Sequence, residues 1–144
     1  MYRGLRKMVM SWSLGLVLVG VAAFVSADPP KPLDEIMEEV QQVNKALIKF
    51  NRMTKAQFDE PGRGEQVAKE AEKMAALMKE VLRHAPQEDQ KEKPKKVWVE
   101  SAEDVKKAAA DMATAARKKD LAAYKTAFKR MDNACTACHD IFRD

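Results

Sequence analysis

Three residues late in the chain have types and a spacing that can do chemistry. Cys135 and Cys138 stand three positions apart and His139 follows directly, which spells C-x-x-C-H. Two thiols at this spacing can each form a thioether with one vinyl group of a single porphyrin, and the adjacent imidazole can then bind the iron from one face. The motif therefore predicts one covalently attached haem c per chain, with His139 as the proximal iron ligand.

Other interpretations of the same residues explain less of the pattern. A thioredoxin-like pair needs its first cysteine at a helix N-terminus, where the helix dipole lowers the thiol pKa. A closed zinc site needs about four ligands, and the chain offers only His84 besides the motif. A plain disulfide in an exported protein would leave the neighbouring histidine unexplained. Haem attachment is the interpretation that uses both cysteines and the histidine.

The first 27 residues are typical of a secretory signal peptide. Three cations precede an apolar run that ends near Phe24, and Val25-Ser26-Ala27 supplies a cleavage site. We expect removal of residues 1–27 and a mature domain over residues 28–144, exported to the periplasm. An uncleaved anchor is the alternative, because the apolar run approaches the length that spans a bilayer.

The charge of the mature chain limits its partners. The formal net charge of the whole chain is +4, and removal of the three signal-peptide cations would leave +1. Because no basic excess remains, we expect no nucleic-acid partner. We expect no membrane partner after signal removal either, because no later segment is apolar enough to span a bilayer.

The composition of the mature chain favours helix throughout. Alanine, lysine, glutamate, methionine and leucine dominate, and no sustained strand alternation occurs. We predict four helices, over about residues 33–50, 64–83, 101–118 and from 120 nearly to the end. Ser101 and Asp120 are the expected N-caps of the last two, and His84 is expected to help cap the end of the second. Four amphipathic helices with short connections predict an all-α, antiparallel up-down-up-down four-helix bundle.

The fourth helix has the clearest apolar seam. Its apolar residues recur every three or four positions without a miss, at Leu121, Tyr124, Phe128, Met131, Cys135, Cys138 and Phe142. Residues at this spacing lie on one helix face. We therefore expect the haem to lie inside the bundle near one end, with Trp98 as a candidate contact of its pocket.

The last third of the chain resembles the class II cytochromes c, the cytochrome c′ family, and the first half resembles it by helical pattern only. The resemblance covers residues 98–143, through the aromatic before the third helix, the alanine-rich third helix, Lys119-Asp120-Leu121 and the final C-x-x-C-H. It implies an exported four-helix haem protein. It also implies that Arg143, which follows an aromatic after the motif as in the family, lies beside the proximal histidine.

The iron ligand opposite His139 decides the function. A methionine sulfur closes the site and suits electron transfer, whereas an open site binds NO or CO. In an up-down-up-down bundle, Met37 and Met78 are both roughly level with His139. The resemblance favours Met37, because the low-spin branch of the family places a methionine on the first helix. Met78 and an open site remain the alternatives.

These residues predict a single-electron carrier and not an enzyme, because no nucleophile and base stand together in the sequence. The expected partners are redox proteins, bound transiently, and the chain is expected to be a monomer or a homodimer. A five-coordinate cytochrome c′ that binds NO or CO is the alternative function. A non-haem helical scaffold or thiol–disulfide protein is a third function of a different class.

Overall fold

The computed structural model describes residues 30–89 and 91–143. The predicted signal peptide and its cleavage site lie outside these residues. The described chain forms five helices and no strand: α1 (Leu33–Asn51), α2 (Lys55–Phe58), α3 (Arg63–Arg83), α4 (Lys95–Arg117) and α5 (Leu121–Phe142). The predicted all-α bundle is confirmed. No helix in the described ranges combines the length and the apolarity needed to cross a membrane.

The four long helices alternate in direction. At one end, the Nε2 of His84 at the close of α3 donates to the backbone oxygen of Lys31, just before α1, over 2.9 Å. At the same end, Trp98 in the first turn of α4 contacts Phe142 in the last turn of α5. At the opposite end, the hydroxyl of Tyr124 in the first turn of α5 donates to the backbone oxygen of Leu47, near the close of α1.

His84 occupies the C-cap position of α3, and its backbone N–H donates to a carbonyl of that helix. The predicted position at the end of the helix is therefore confirmed. The imidazole, however, bonds to the segment before α1 and not to its own helix. His84 thus joins the end of α3 to the start of α1.

The predicted start of the third long helix is wrong. α4 begins at Lys95, and Ser101 is 7 % exposed in its interior instead of capping its start. Pro94 precedes the helix, where a proline is tolerated because the first helical N–H groups have no intrahelical partner. The burial of Trp98 stabilises the added turns and overrides the capping preference of serine.

The short helix α2 was not predicted. Its N-cap Thr54 accepts a hydrogen bond from the backbone of Gln57, and the Gln57 side chain bonds back to the Thr54 backbone. This reciprocal pair is a capping box, whose T-x-x-Q signature is visible in the sequence. The turn of helix buries Phe58 completely beneath the connection between α1 and α3.

The core is built mostly from small and flexible side chains. Alanines on α3 and α4 let these helices pack closely, and Met74, Met112 and Met131, from α3, α4 and α5, fill the core without exposure. Ring contacts join Phe58, Tyr124 and Phe128 at the end of the bundle where α5 begins.

Candidate haem site

The C-x-x-C-H motif lies in the last turns of α5. The helix begins at the predicted N-cap, where the Asp120 carboxylate accepts a hydrogen bond from the backbone of Ala123 over 2.9 Å. Cys135 and Cys138 are free thiols, half-buried against the edge of the core. His139 is exposed. One stretch of helix therefore holds both thiols toward the bundle and keeps the imidazole at the surface.

The core ends short of the motif. The fully buried positions of α5 end at Met131, and every position from 132 to 142 retains some exposure. The apolar seam nevertheless continues, and Cys135, Cys138 and Phe142 pack against the core while staying partly uncovered. The seam of α5 thus has apolar surface that the protein itself does not bury.

The start of α1 lies at the same end of the bundle as the motif, and its apolar residues are also only partly buried. Leu33, Met37 and Val40 are half-buried and pack against the core, beside the fully buried Ile36. α1 packs closely on α3 but only lightly on α5. A flat apolar group between these two seams would remove apolar surface of both from water. The residues present therefore fit a haem bound through Cys135 and Cys138.

The two thiols are protonated at neutral pH. Burial raises the pKa of Cys135 to about 11, with smaller contributions from the charge of Asp132 and from Cys138. Burial also raises the pKa of Cys138. A dithiol that exchanges with disulfides requires a lowered pKa, because the thiolate is the reacting species. This environment therefore disfavours the thiol–disulfide interpretation of the pair.

The two methionines considered as distal ligands lie in different surroundings. Met37 is half-buried on α1, at the end of the bundle that carries the motif. Met78 is 4 % exposed on α3 and belongs to the core. The structure therefore leaves Met37 at the incompletely covered region and encloses Met78.

Two other residues were expected at the pocket. Arg143 is exposed and occupies the C-cap of α5, where its backbone N–H donates to the backbone oxygen of His139 over 3.1 Å. Trp98 is buried, and its ring meets that of Phe142 edge-on, with centroids 5.0 Å apart. The contact between Trp98 and Phe142 was missed, because Trp98 was predicted to precede the helix.

A helical bundle with C-x-x-C-H on its last helix defines a class of protein, the c-type cytochromes, which bind haem. A comparison with known families identifies the particular one, because the family model for cytochrome C′ matches residues 33–143, from the start of α1 to the C-cap of α5. The chain belongs to the cytochrome c′ family. No curated protein matches the chain.

Proposed function

We propose that this protein is an exported, periplasmic electron carrier with one haem c per chain and no enzymatic activity. Cys135 and Cys138 would hold the haem through thioethers, and His139 and Met37 would be the two protein ligands of its iron. The bound haem supplies a one-electron couple. The observation that carries the proposal is that Met37 on α1 and the two thiols on α5 are all only partly buried against the core, at the same end of the bundle.

Burial favours Met37 over Met78 as the proposed distal ligand. Met78 fills space in the core. If its side chain left the core to bind the iron, it would leave a cavity that costs about 2–5 kcal/mol. Met37 is half-buried, and its removal from the core edge leaves the buried position of Ile36 intact. A thioether ligand raises the potential of the haem and closes the iron to gases.

The exposure of His139 supports electron exchange with other proteins. Because the imidazole and the neighbouring turn lie at the surface, a redox protein can approach the motif closely without opening the bundle. Brief encounters with such partners suit an electron carrier. We propose no nucleic-acid or membrane partner for the mature chain, which acts as a monomer or a homodimer.

The alternative is an open distal site that binds NO or CO. It is favoured by the register of Met37, which lies one position beyond the fully buried seam position of Ile36. In that case Met37 is an edge residue of the core and not a ligand, since methionine is a common gap-filling residue.

Titration of the ferrous protein with CO separates the two functions. If Met37 binds the iron, the wild-type protein is low-spin and binds CO slowly or not at all, whereas Met37→Ala is high-spin and binds CO promptly. Met53→Ala is a matched control, because Met53 is also half-buried but lies past the far end of α1. Prompt CO binding by the wild-type protein, with an unchanged spectrum in Met37→Ala, would establish the open site instead.

Three measurements test the remaining parts of the proposal. A pyridine haemochrome spectrum gives the number of haems per chain. A protein that shows no haemochrome absorbance would establish the non-haem alternative. Intact mass of the secreted protein shows whether residues 1–27 are removed. Analytical ultracentrifugation distinguishes the monomer from the homodimer.

A further inference from the structure

We propose that Trp98 is a positioning residue for His139. It holds the last turn of α5 against α3 and α4, and so fixes the orientation of the imidazole. The inference rests on the proposed role of His139 as an iron ligand and adds a residue that the motif itself does not contain. Three features of one end of the bundle carry it: an indole fixed by a hydrogen bond, a ring contact, and a helix end whose side chains are at most partly buried.

The indole of Trp98 is fixed in place. It is 7 % exposed, and its Nε1–H donates to the backbone oxygen of Val81 over 3.0 Å. That oxygen belongs to the last turn of α3 and also accepts a hydrogen bond from the backbone N–H of the C-cap residue His84 over 3.0 Å. Rotation of the ring would leave a buried donor without an acceptor, which is unfavourable. Trp98 therefore joins the start of α4 to the end of α3.

The ring of Trp98 then fixes Phe142. The two rings meet at an interplanar angle of 87° with centroids 5.0 Å apart, which is the favourable edge-to-face geometry. Phe142 is three residues beyond His139, and the adjacent backbone N–H of Arg143 donates to the oxygen of His139. Because this turn is closed by a hydrogen bond, a displacement of Phe142 also displaces the backbone of His139.

Besides Phe142, this part of α5 meets the core only through the partly buried Ala134, Cys135 and Cys138. No position from 132 to 142 is fully buried, and α1 packs only lightly on the helix. Helix ends without buried contacts open at low free energy. The contact with Trp98 therefore adds, beyond the attachment at the two cysteines, to what orders the final turn after the imidazole.

Hydrogen–deuterium exchange of the holoprotein tests this role. Trp98→Leu should speed exchange in peptides covering residues 132–143 by roughly fivefold or more, the equivalent of one aromatic pair, and should leave residues 121–131 unchanged. Trp98→Phe, which keeps a ring but loses the N–H, should give a smaller increase in the same peptides. Val105→Ala is the control, because Val105 is buried on the same helix two turns further on. Equal acceleration of both segments by Trp98→Leu would overturn the proposal.

The ferric electron paramagnetic resonance spectrum supplies a second readout that a general loss of stability does not move. Trp98→Leu and Phe142→Leu should shift the signals in the same direction, and the double variant should add little, because both act through one contact. Additive shifts, or an equal shift in Val105→Ala, would overturn the proposal. The proposed role of His139 as an iron ligand is tested separately. It is refuted if His139→Ala retains the wild-type spectrum.

Discussion

The hydroxyl of Tyr124 ties α5 to α1 at the end of the bundle opposite the haem motif. The side chain is fully buried, and its hydroxyl donates to the backbone oxygen of Leu47 over 3.0 Å. Its ring contacts Phe58 and Phe128. Tyr124→Phe removes the hydroxyl and leaves these ring contacts in place, so it isolates one link between two helices that otherwise pack lightly.

The expected effect depends on pH. At neutral pH, Tyr124→Phe should lower the free energy of unfolding by about 1 kcal/mol, the typical net value of one hydrogen bond. Burial raises the pKa of Tyr124 above its ordinary value of 10.0. Above that ordinary value the unfolded chain therefore releases the phenolic proton while the folded chain retains it. The free energy of unfolding of the wild-type protein then falls by up to about 1.4 kcal/mol per pH unit.

The variant lacks this contribution, because phenylalanine has no proton to release. Lysines titrate in both proteins and cancel in the comparison, and the other tyrosine, Tyr2, lies in the predicted signal peptide. The stability advantage of the wild-type protein should therefore shrink above about pH 10 and disappear near about pH 11. Urea unfolding of the holoproteins by far-ultraviolet circular dichroism measures both curves. Parallel curves from about pH 9 to about pH 11 would refute the argument.

Two further substitutions test the packing of α3 on α4 and the start of α5. Gly64→Ala would place a Cβ 2.5 Å from the backbone oxygen of Ala116, so we expect a loss of about 1–2 kcal/mol in urea unfolding despite the better helix propensity of alanine. Gly62→Ala is the comparison, because Gly62 has a left-handed φ of 79° and no atom within 4 Å of an added Cβ, so this variant measures backbone strain without a clash. An unchanged urea midpoint for Gly64→Ala would contradict the close approach of α3 and α4. Ala123→Glu adds a negative charge to the first turn of α5, which has no acidic residue. The charge should stabilise the fold by about 0.5 kcal/mol, and the thermal midpoint should therefore rise. A raised midpoint that persists at high salt would show that another effect is responsible.

The features that local periodicity governs were predictable from the sequence. The seam of α5 and its Asp120 cap follow from residue spacing and from capping chemistry, and both are confirmed. The start of α4 was not predictable in this way. It depends on the contacts of Trp98 with Val81 and Phe142, which are distant in sequence and outweigh the local preference of Ser101 for a cap.

The exposure of His139 illustrates the same limit. Helix geometry alone places the imidazole close to the face of Cys135, one turn earlier. How much of that face is covered depends on where α1 lies relative to α5, and this distance is not encoded in either helix by itself. The place of both thiols on the apolar seam was therefore predictable, whereas their only partial burial and the exposure of the histidine required the packed structure.

The two proposed iron ligands come from two long helices, α1 and α5, that pack only lightly on each other. α1 is fixed near its end by the bond from Tyr124 to Leu47, and at its start the bond from His84 to Lys31 ties it to α3. Neither bond holds the first turns of α1 against the last turns of α5. A ligand bond from Met37 would join these turns through the haem. Closure of the iron site and association of α1 with α5 are therefore linked, because a bond that forms only in the associated state must favour that state.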